Sequence, residues 1–379
     1  MKIVHVVPAL TKGGGERVAA ELANHAALAG HKVTLIAGWP VDSALLRDAL
    51  HTNVQVKYVS DAADSKIGRY FHMLPWLWRH RSWLMQQDIL HCHLLYAAIF
   101  GTLARIWRLV SDAKGPVVVE TYHSVGAPVS SWYRWFVARM AAQRDALALM
   151  AEDEYWNTFA SKHPKLTTQV ILNGVANPSR NPVGLAEQLA YRREIGIPDE
   201  CQLVVGAVGR LTADRTPWMY IPIFAEISRE CGPEVHFVLA GGGGELNRMR
   251  EIVIEQGLEG RVHLPGQVLE PRFPLAIMDL YISINVGGIT GLAGMEAALS
   301  GLPVVAIQWI SQYRADLNDW IWSSADPSEV ARRACKLLLS PEDCRVLAAR
   351  QKAYVESHHT TQAMASSYYA LYKAAMARF

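Results

Sequence analysis

Along this chain, unbroken apolar runs alternate with longer stretches in which apolar positions recur every three or four residues. The run KIVHVVPAL is closed by TKGGG; in the following ERVAAELANHAALAG, Val18, Leu22, Ala26 and Ala29 fall at helical spacing and Gly30 ends the stretch. HKVTLIAG is the next run. Strand, glycine turn, helix and strand make a βαβ unit, whose parallel strands are covered on both faces and so read as continuous apolar runs. QQDILHCHLL and GPVVVETYHS repeat the pattern, and ALALMAEDEYWNTFASKH with TQVILNGV completes a first set. Turn formers cluster in ANPSRNPVG, residues 176–184, where the pattern predicts a linker. A second set follows: QLVVGAVGRL, VHFVLAGGGG, GRVHLPGQ, DLYISIN and LPVVAIQ as strands, with MYIPIFAEISREC, ELNRMREIVIEQGL and GLAGMEAALSG as helices. The pattern predicts an α/β chain of two doubly wound domains, 1–178 and 179–359.

Composition agrees with that division. The chain has 379 residues, 51% of them apolar, enough for two domains with separate cores. Its longest apolar stretches, such as LLYAAIFGTLA, stop short of the roughly 18–20 residues of a membrane span. MKIVHVVPAL is too short for a signal-peptide core and has no small-residue cleavage site after it, so a cytoplasmic protein is expected. Cys92, Cys201, Cys231, Cys335 and Cys344 form no C-x-x-C pair; they are expected to be core thiols rather than a disulfide framework or a zinc site. Net charge is +2, unevenly spread: residues 1–180 hold 19 Lys+Arg against 13 Asp+Glu. That excess is modest and lacks a base-reading motif, which argues against nucleic acid as a partner.

In doubly wound sheets ligands bind beyond the carboxyl ends of the strands, so the loops there hold the candidate chemistry. Gly13, Gly14 and Gly15 join a strand to a helix; they suit a tight turn or the approach of a ligand to a helix N-terminus. Arg210 and Arg215, in VGRLTADRTP, are either a solvated pair or a forked clamp for a diphosphate. Gly241 lies in LAGGGGE, which is a flexible loop or a place where a flat group or phosphate passes close over the backbone. From Thr290, Leu292, Met295 and Leu299 share a helical face, and the amides of Thr290, Gly291, Leu292 and Ala293 form an open first turn suited to an anion. Glu296, one turn below Leu292, either faces solvent or accepts hydrogen bonds from hydroxyls attached to that anion, as ribose would offer. His123, His91 and His93 stand at strand ends. No carboxylate or thiolate has matching spacing, so no metal is expected; satisfied core histidines and ligand-bonding ones both fit.

The segments GGGERVAAELA, AGHKV, ILNGV, VGRLTADR, FVLAGGGGEL, VHLPG and GMEAALSGLPVVA occur in an order that resembles the retaining, family-4-type nucleotide-sugar glycosyltransferases, over nearly the whole chain. The resemblance implies the GT-B fold: two Rossmann-like domains facing across a cleft, with the acceptor in the first and the nucleotide sugar in the second. It also implies that TTQAMASSYYALYKAAMARF, about 360–379, crosses back to the first domain. By position, Arg210 and Arg215 resemble the diphosphate-binding pair, whose second member is usually lysine, and His123 the histidine that contacts the transferred sugar. Gly14 and Gly15 match the loop facing diphosphate and acceptor. Gly241, Gln267 and Val268 match the surroundings of the nucleobase, Thr290 to Ala293 the phosphate-cradling turn, and Glu296 the glutamate that holds ribose. The family's other glutamate belongs eight residues before Glu296, where this chain has Gly288; Ile289 and Thr290 likewise replace a glycine and a phenylalanine. A donor sugar held by other groups, such as Asn285 or loop amides, is expected.

Glycosyl transfer collects charge on the departing diphosphate, and stabilising that charge is the large electrostatic term. Arg210, Arg215 and the helix amides are suited to it; with no D-x-D motif in the chain, metal-independent transfer and no cofactor beyond the donor are expected. The resemblance implies that the leaving phosphate takes the acceptor's proton. KIGRYFHMLPWLWRHRSWLMQQ and SSWYRWFVARMAAQR mix Trp and Tyr with Arg and His in the basic half. They suit half-buried domain helices or an anionic inner-membrane surface presenting a lipid-linked saccharide or lipopolysaccharide acceptor. A catalytically degenerate nucleotide- or glycan-binding partner subunit and a nucleotide-sugar epimerase are the rival readings.

Overall fold

The computed structural model describes residues 1–11, 13–41, 45–61, 65, 67–111, 114–123, 130–176, 182–232, 234–268, 270–285, 291–308, 321–322 and 326–378. They form two compact units, Met1–Gly174 with Thr361–Phe379, and Val175–Thr360. Unit 1 contains β1 (Lys2–Ala9), α1 (Gly14–Leu28), β2 (Lys32–Trp39), α2 (Leu45–Asp48), β3 (Val54–Tyr58), α3 (Gly68–Phe71), α4 (Met73–Leu84), β4 (Ile89–His93), α5 (Leu94–Ser111), β5 (Val117–Tyr122), α6 (Ser131–Ala141), β6 (Ala146–Leu149), α7 (Glu154–Lys162) and β7 (Thr167–Val170). Unit 2 contains α8 (Leu185–Glu194), β8 (Leu203–Val208), α9 (Tyr220–Cys231), β9 (Val235–Ala240), α10 (Leu246–Glu255), β10 (Val262–His263), α11 (Arg272–Ala276), β11 (Leu280–Asn285), α12 (Leu292–Leu299), β12 (Val304–Gln308), β13 (Ile321–Trp322), α13 (Pro327–Leu338) and α14 (Pro341–His358). The last helix, α15 (Thr361–Ala377), belongs to unit 1.

Both sheets are parallel, in the orders β3-β2-β1-β4-β5-β6-β7 and β10-β9-β8-β11-β12-β13. Helices cover their faces, so the central strands are buried throughout: every residue of VVVETY in β5 and of VHFVLA in β9 is buried. Edge strand β3 buries only its first residue and mixes Gln and Lys into the run, the composition of an edge rather than a centre. Unit 2 begins at Val175, a few residues ahead of the expected boundary, because the Val175 amide donates to the His359 carbonyl at 2.8 Å and Val175 bridges Thr360.

The C-terminal helix is bolted to the first sheet. Its buried stripe is Met364, Ala365, Tyr368, Leu371, Tyr372 and Ala375, at helical spacing. Two of those tyrosines reach polar partners: Tyr372 Oη lies 2.7 Å from His91 Nδ1, and Tyr368 Oη lies 2.8 Å from Thr121 Oγ1. His91 Nε2 completes the network at 2.8 Å from Thr121 Oγ1, so both nitrogens of this buried histidine are occupied. His91 is therefore a satisfied core histidine.

One expectation is corrected. Cys231 at the end of α9 and Cys335 in α13 are joined in a disulfide, with Cα atoms 6.0 Å apart across 104 residues, while Cys92 and Cys201 are buried free thiols. The pairing follows from the packing of α13 on α9, which brings one cysteine from each helix together; their spacing along the chain carries no trace of it. Pro75 falls in the first turn of α4, where its missing N–H has no partner to lose, so the aromatic stretch continues as a helix through Leu84. Among the described residues no helix is long and apolar enough to cross a membrane.

Candidate functional site

Each sheet reverses its strand order at one place, between β1 and β4 in unit 1 and between β8 and β11 in unit 2. Crevices at such switch points are where doubly wound sheets bind ligands. The candidate residues that can be described follow β1 and β5 in unit 1 and β8, β9, β10 and β11 in unit 2.

In unit 2 the chain leaving β8 stays paired with its neighbour. Gly209 N donates to Ala240 O at 2.9 Å, Leu211 N to Gly242 O at 2.9 Å, and Glu245 N to Leu211 O at 3.0 Å. Glycine is what permits this: a Cβ at Gly241 would stand 1.7 Å from the Gly209 carbonyl oxygen, and one at Gly243 2.1 Å from that of Leu211. At Gly242 a Cβ would meet that of Gln267 at 3.1 Å. The close approach read from the glycine run is thus made by protein backbone, and it stacks the loops after β8, β9 and β10. Val268 lies at the end of the third of these loops, packed against the unit 2 core.

The paired loop carries the arginines. Residues Ala213–Arg215 and Pro217–Met219 form two short 3-10 turns hinged at Thr216, which takes a left-handed φ of 47°. That conformation strains a β-branched residue and is found where surrounding structure enforces it. Arg210 Nη2 and Arg215 Nε approach the same oxygen, Asp214 Oδ2, at 3.4 and 3.7 Å. Partial burial opposes ionisation of Asp214, yet the Thr212 hydroxyl first and then the two guanidiniums hold its carboxyl below the usual range. All three side chains are more than half exposed, so these pairs contribute little stability and yield easily to a stronger anion. Thr216 Oγ1 is buried and has no hydrogen-bond partner among the described residues.

After β11, helix α12 starts without a cap. Its N-cap Gly291 is extended and its carbonyl takes the Gly294 and Met295 amides at 3.0 and 3.2 Å, leaving the Leu292 and Ala293 amides of the first turn without a partner among the described residues. Glu296 is 5% exposed, which excludes the solvent-facing alternative. Thr290, Gly288 and the Asn285 side chain lie outside the described residues. Two tyrosines link this helix to the arginine loop. Tyr281 Oη accepts from Val208 N at 3.1 Å and donates to Val208 O at 2.9 Å; burial first, then Tyr220 and the Glu296 carboxylate, raise its phenol well above the usual range. Tyr220 Oη accepts the Ile284 amide at 3.2 Å, and burial pushes its phenol up to about 12 against that bond and the charge of Arg215. Arg215, Tyr220, Tyr281 and Glu296 thus lie in one electrostatic neighbourhood at the β8–β11 switch point.

In unit 1 the glycine loop opens α1 at Gly14, with Gly13 as an extended N-cap. Glu16 lies over that terminus: a Cβ on Gly13 would sit 2.2 Å from Glu16 Oε2, and Thr11 Oγ1 donates to Glu16 Oε1 at 3.1 Å. A carboxylate therefore already holds the anion-favouring position. Gly15 faces Leu94, whose Cδ2 would be 3.0 Å from a Cβ there. Leu94 itself has φ 70°, because α5 begins directly after His93 with no connecting loop. Leu94 also lines a cavity of about 30 Å³ with Glu120, Thr121, Tyr122, His123 and Tyr133, room for about one water. The Glu120 charge is taken by Arg144, whose Nε donates to Oε2 at 2.7 Å.

His123 does not stand alone. Its Nε2 lies 3.2 Å from His93 Nδ1, and His93 Nε2 lies 3.2 Å from His5 Nδ1. His5, one strand over on β1 and opposite His91 in register, escaped the sequence reading because register between β1 and β4 is not written in either segment. Burial lowers His5 to about 3 and His123 to about 4, and burial with neighbouring imidazoles holds His91 and His93 well below the usual range. Nitrogens of His5, His91 and His93 lie within 4.8 Å of one another, but a metal there would require His91 to release Thr121 or Tyr372. Asp214 was also missed; an acid set between two arginines in RLTADR was the available signal.

Residues 12–175 match the family model described as Glycosyltransferase Family 4, and residues 202–340 that described as Glycosyl transferases group 1. The chain is similar to the 2-deoxystreptamine glucosyltransferase of Streptomyces kanamyceticus, 26% identical over 138 residues, 36% of this chain and 35% of that protein. It is also similar to the D-inositol 3-phosphate glycosyltransferase of Corynebacterium glutamicum (strain R), 24% identical over 245 residues, 58% of this chain and 55% of the other. The matches thus span about a third to a half of these relatives' lengths. Among solved structures, Anabaena Alr3699/HepE in complex with UDP and glucose superposes with a TM-score of 0.76 at 17% identity, covering 97% of this chain and 98% of that one. WaaG, a glycosyltransferase involved in lipopolysaccharide biosynthesis, does so with 0.69 at 15% identity, covering 97% and 99%. At these identities the structural likeness is one of fold.

Proposed function

Since this chain belongs to the family-4-type glycosyltransferases of the GT-B fold, we propose that it transfers a sugar from a nucleotide diphosphate sugar to a hydroxylated glycan or lipid-linked saccharide, with retention of configuration and without a metal. The observation that carries this reading is the meeting of Arg210 and Arg215 on Asp214 at the carboxyl end of β8. Two permanent cations already gathered around one carboxylate form a ready seat for a diphosphate, whose higher charge displaces the weaker, solvent-exposed partner. The open first turn of α12 adds backbone donors, and buried Glu296 suits the ribose hydroxyls.

Chemistry in this site reduces to stabilising the leaving group. As the bond to the anomeric carbon lengthens, negative charge builds on the diphosphate, and the guanidiniums gathered on it and the Leu292 and Ala293 amides stabilise that charge. The leaving phosphate oxygen takes the acceptor's proton, and His123 meets the transferred sugar as a neutral hydrogen-bonding group. Near α4 and α6, Phe71, Leu74, Trp78, Trp132 and Trp135 are exposed, while Arg81 lies 4.5 Å from the Trp78 ring and Arg139 5.8 Å from that of Trp135. Exposed aromatics stacked with arginines suit the interface of an anionic membrane, and these helices support a lipid-linked acceptor at the inner leaflet.

The test is turnover. Incubation with a panel of nucleotide sugars, UDP-glucose first because HepE was solved with UDP and glucose, is expected to release nucleoside diphosphate in wild type. Arg210→Ala and Arg215→Ala are expected to abolish that release. A nucleoside diphosphate that binds while no donor is ever consumed would instead favour the degenerate partner-subunit reading that Gly288 raises.

A further inference from the structure

The row of imidazoles running inward from His123 has a property that none of its members has alone. His123 Nε2 faces His93 Nδ1, and His93 Nε2 faces His5 Nδ1, each pair at 3.2 Å. A neutral imidazole has one N–H and one bare nitrogen, so each can donate at one end of such a row and accept at the other. Only two arrangements then satisfy both hydrogen bonds. In one, all three rings carry the proton on Nδ1: His5 donates to His93, His93 donates to His123, and His123 presents an N–H at its outer Nδ1. In the other, all three carry it on Nε2, every bond points inward, and His123 presents a bare acceptor.

We propose that His93 and His5 are positioning residues whose shared hydrogen-bond direction decides whether His123 offers its ligand a donor or an acceptor. The inference rests on the reading that His123 meets the transferred sugar; among the described residues its Nδ1 makes no hydrogen bond, and its ring lines the small cavity beside Tyr133. A sugar hydroxyl can accept or donate, so one row serves either ligand geometry by reversing both bonds together. Storage of a proton in the row is disfavoured: His5 and His93 are buried, and burial resists a cationic imidazole at either place. The row is therefore a selector of polarity and not a reservoir of charge. His91, although next to it, is excluded because Thr121 and Tyr372 occupy both its nitrogens.

Ring-nitrogen NMR on the full chain labelled with ¹⁵N-histidine tests this without a ligand, because the two nitrogens of a neutral imidazole differ in shift according to which holds the proton. The expected result at pH 7.5 is agreement among His5, His93 and His123: all Nδ1–H, all Nε2–H, or one common ratio. Mixed tautomers, or a cationic ring in the row, would overturn the proposal. A second measurement uses His5→Leu, which removes the inner partner, and His5→Asn, whose amide can stand where Nδ1 stood. His5→Leu is expected to change the tautomer ratio of His123, two rings away, and His5→Asn to restore a single direction. A merely structural His5 would leave the His123 signals in place in any folded variant. In turnover, His5→Leu is expected to lower kcat by on the order of tenfold with little change in KM, by analogy with the loss on removing the hydrogen-bond partner of a metal-ligating histidine. Concordant tautomers in a protein that transfers no sugar would sink the functional reading and spare the row; mixed tautomers in an active enzyme would do the reverse.

Discussion

The two units solve the same topological problem with opposite chemistry. Each sheet reverses its strand order once, and unit 1 fills that place with fully buried imidazoles on the strands themselves, His5 on β1 and His91 and His93 on β4. Unit 2 carries no charged residue and no histidine on β8 or β11 and sends its charge out to the following loop, where Arg210, Asp214 and Arg215 are all more than half exposed. A buried imidazole stays neutral and acts by the direction of its hydrogen bonds, whereas an exposed guanidinium keeps its charge and can rearrange around an anion. The difference teaches what each half is suited to: neutral, directional hydrogen bonding in one, and release and capture of a diphosphate in the other.

Acid separates the units most sharply. An unfolded histidine takes up a proton near pH 6.5, while His5 and His123 refuse one until about 3 and about 4. Between those values the unfolded chain binds more protons, so stability is full above pH 6.5 and falls as pH drops, by roughly 1.4 kcal/mol per pH unit for each such group. For His5 and His123 alone several kcal/mol leave unit 1 by pH 4.5, and His91 and His93 are lowered in the same direction. In unit 2 only His236 and His263 are lowered, and less deeply placed. Calorimetric unfolding from pH 7.5 to 4.5, with hydrogen exchange followed separately in peptides of the two units to assign each transition, is expected to show that of unit 1 falling faster; equal shifts would break the comparison.

The glycine-stacked loops give the next effect. Gly241→Ala forces a Cβ to within 1.7 Å of the Gly209 carbonyl and is expected to destabilise unit 2 by about 1–3 kcal/mol, read as a lower midpoint in urea. A neutral result would mean that the loops part freely. Smaller still is Asp214→Asn, which frees both arginines from their resident acid. It is expected to tighten UDP binding by a few-fold, on the scale of an exposed ion pair, while leaving thermal stability unchanged; weaker binding would show that Asp214 orients the arginines instead.

Much of the fold was legible because parallel strands buried on both faces announce themselves as apolar runs, as β1, β5 and β9 do. β3 and β13 did not, since an edge strand with Gln and Lys in it and a two-residue strand carry no such run. For the site, the loops were found by their arginines and glycines, but the partners that define them were not. Asp214 and Glu16 are local acids whose roles appear only once the 3-10 turns and the start of α1 are folded. His5 and the Cys231–Cys335 bridge depend on strand register and helix packing, which lie between segments rather than within any one of them.

The central claim is that the loop after β8 seats a diphosphate. Titration calorimetry of the intact chain with UDP, GDP and ADP, repeated on Arg210→Ala and Arg215→Ala, tests it most directly. The account predicts binding of at least one of the three and a loss of roughly 1.5–3 kcal/mol, about 10- to 100-fold, for each arginine removed. Binding that survives both substitutions unchanged, or no binding by the folded wild-type protein, would contradict it.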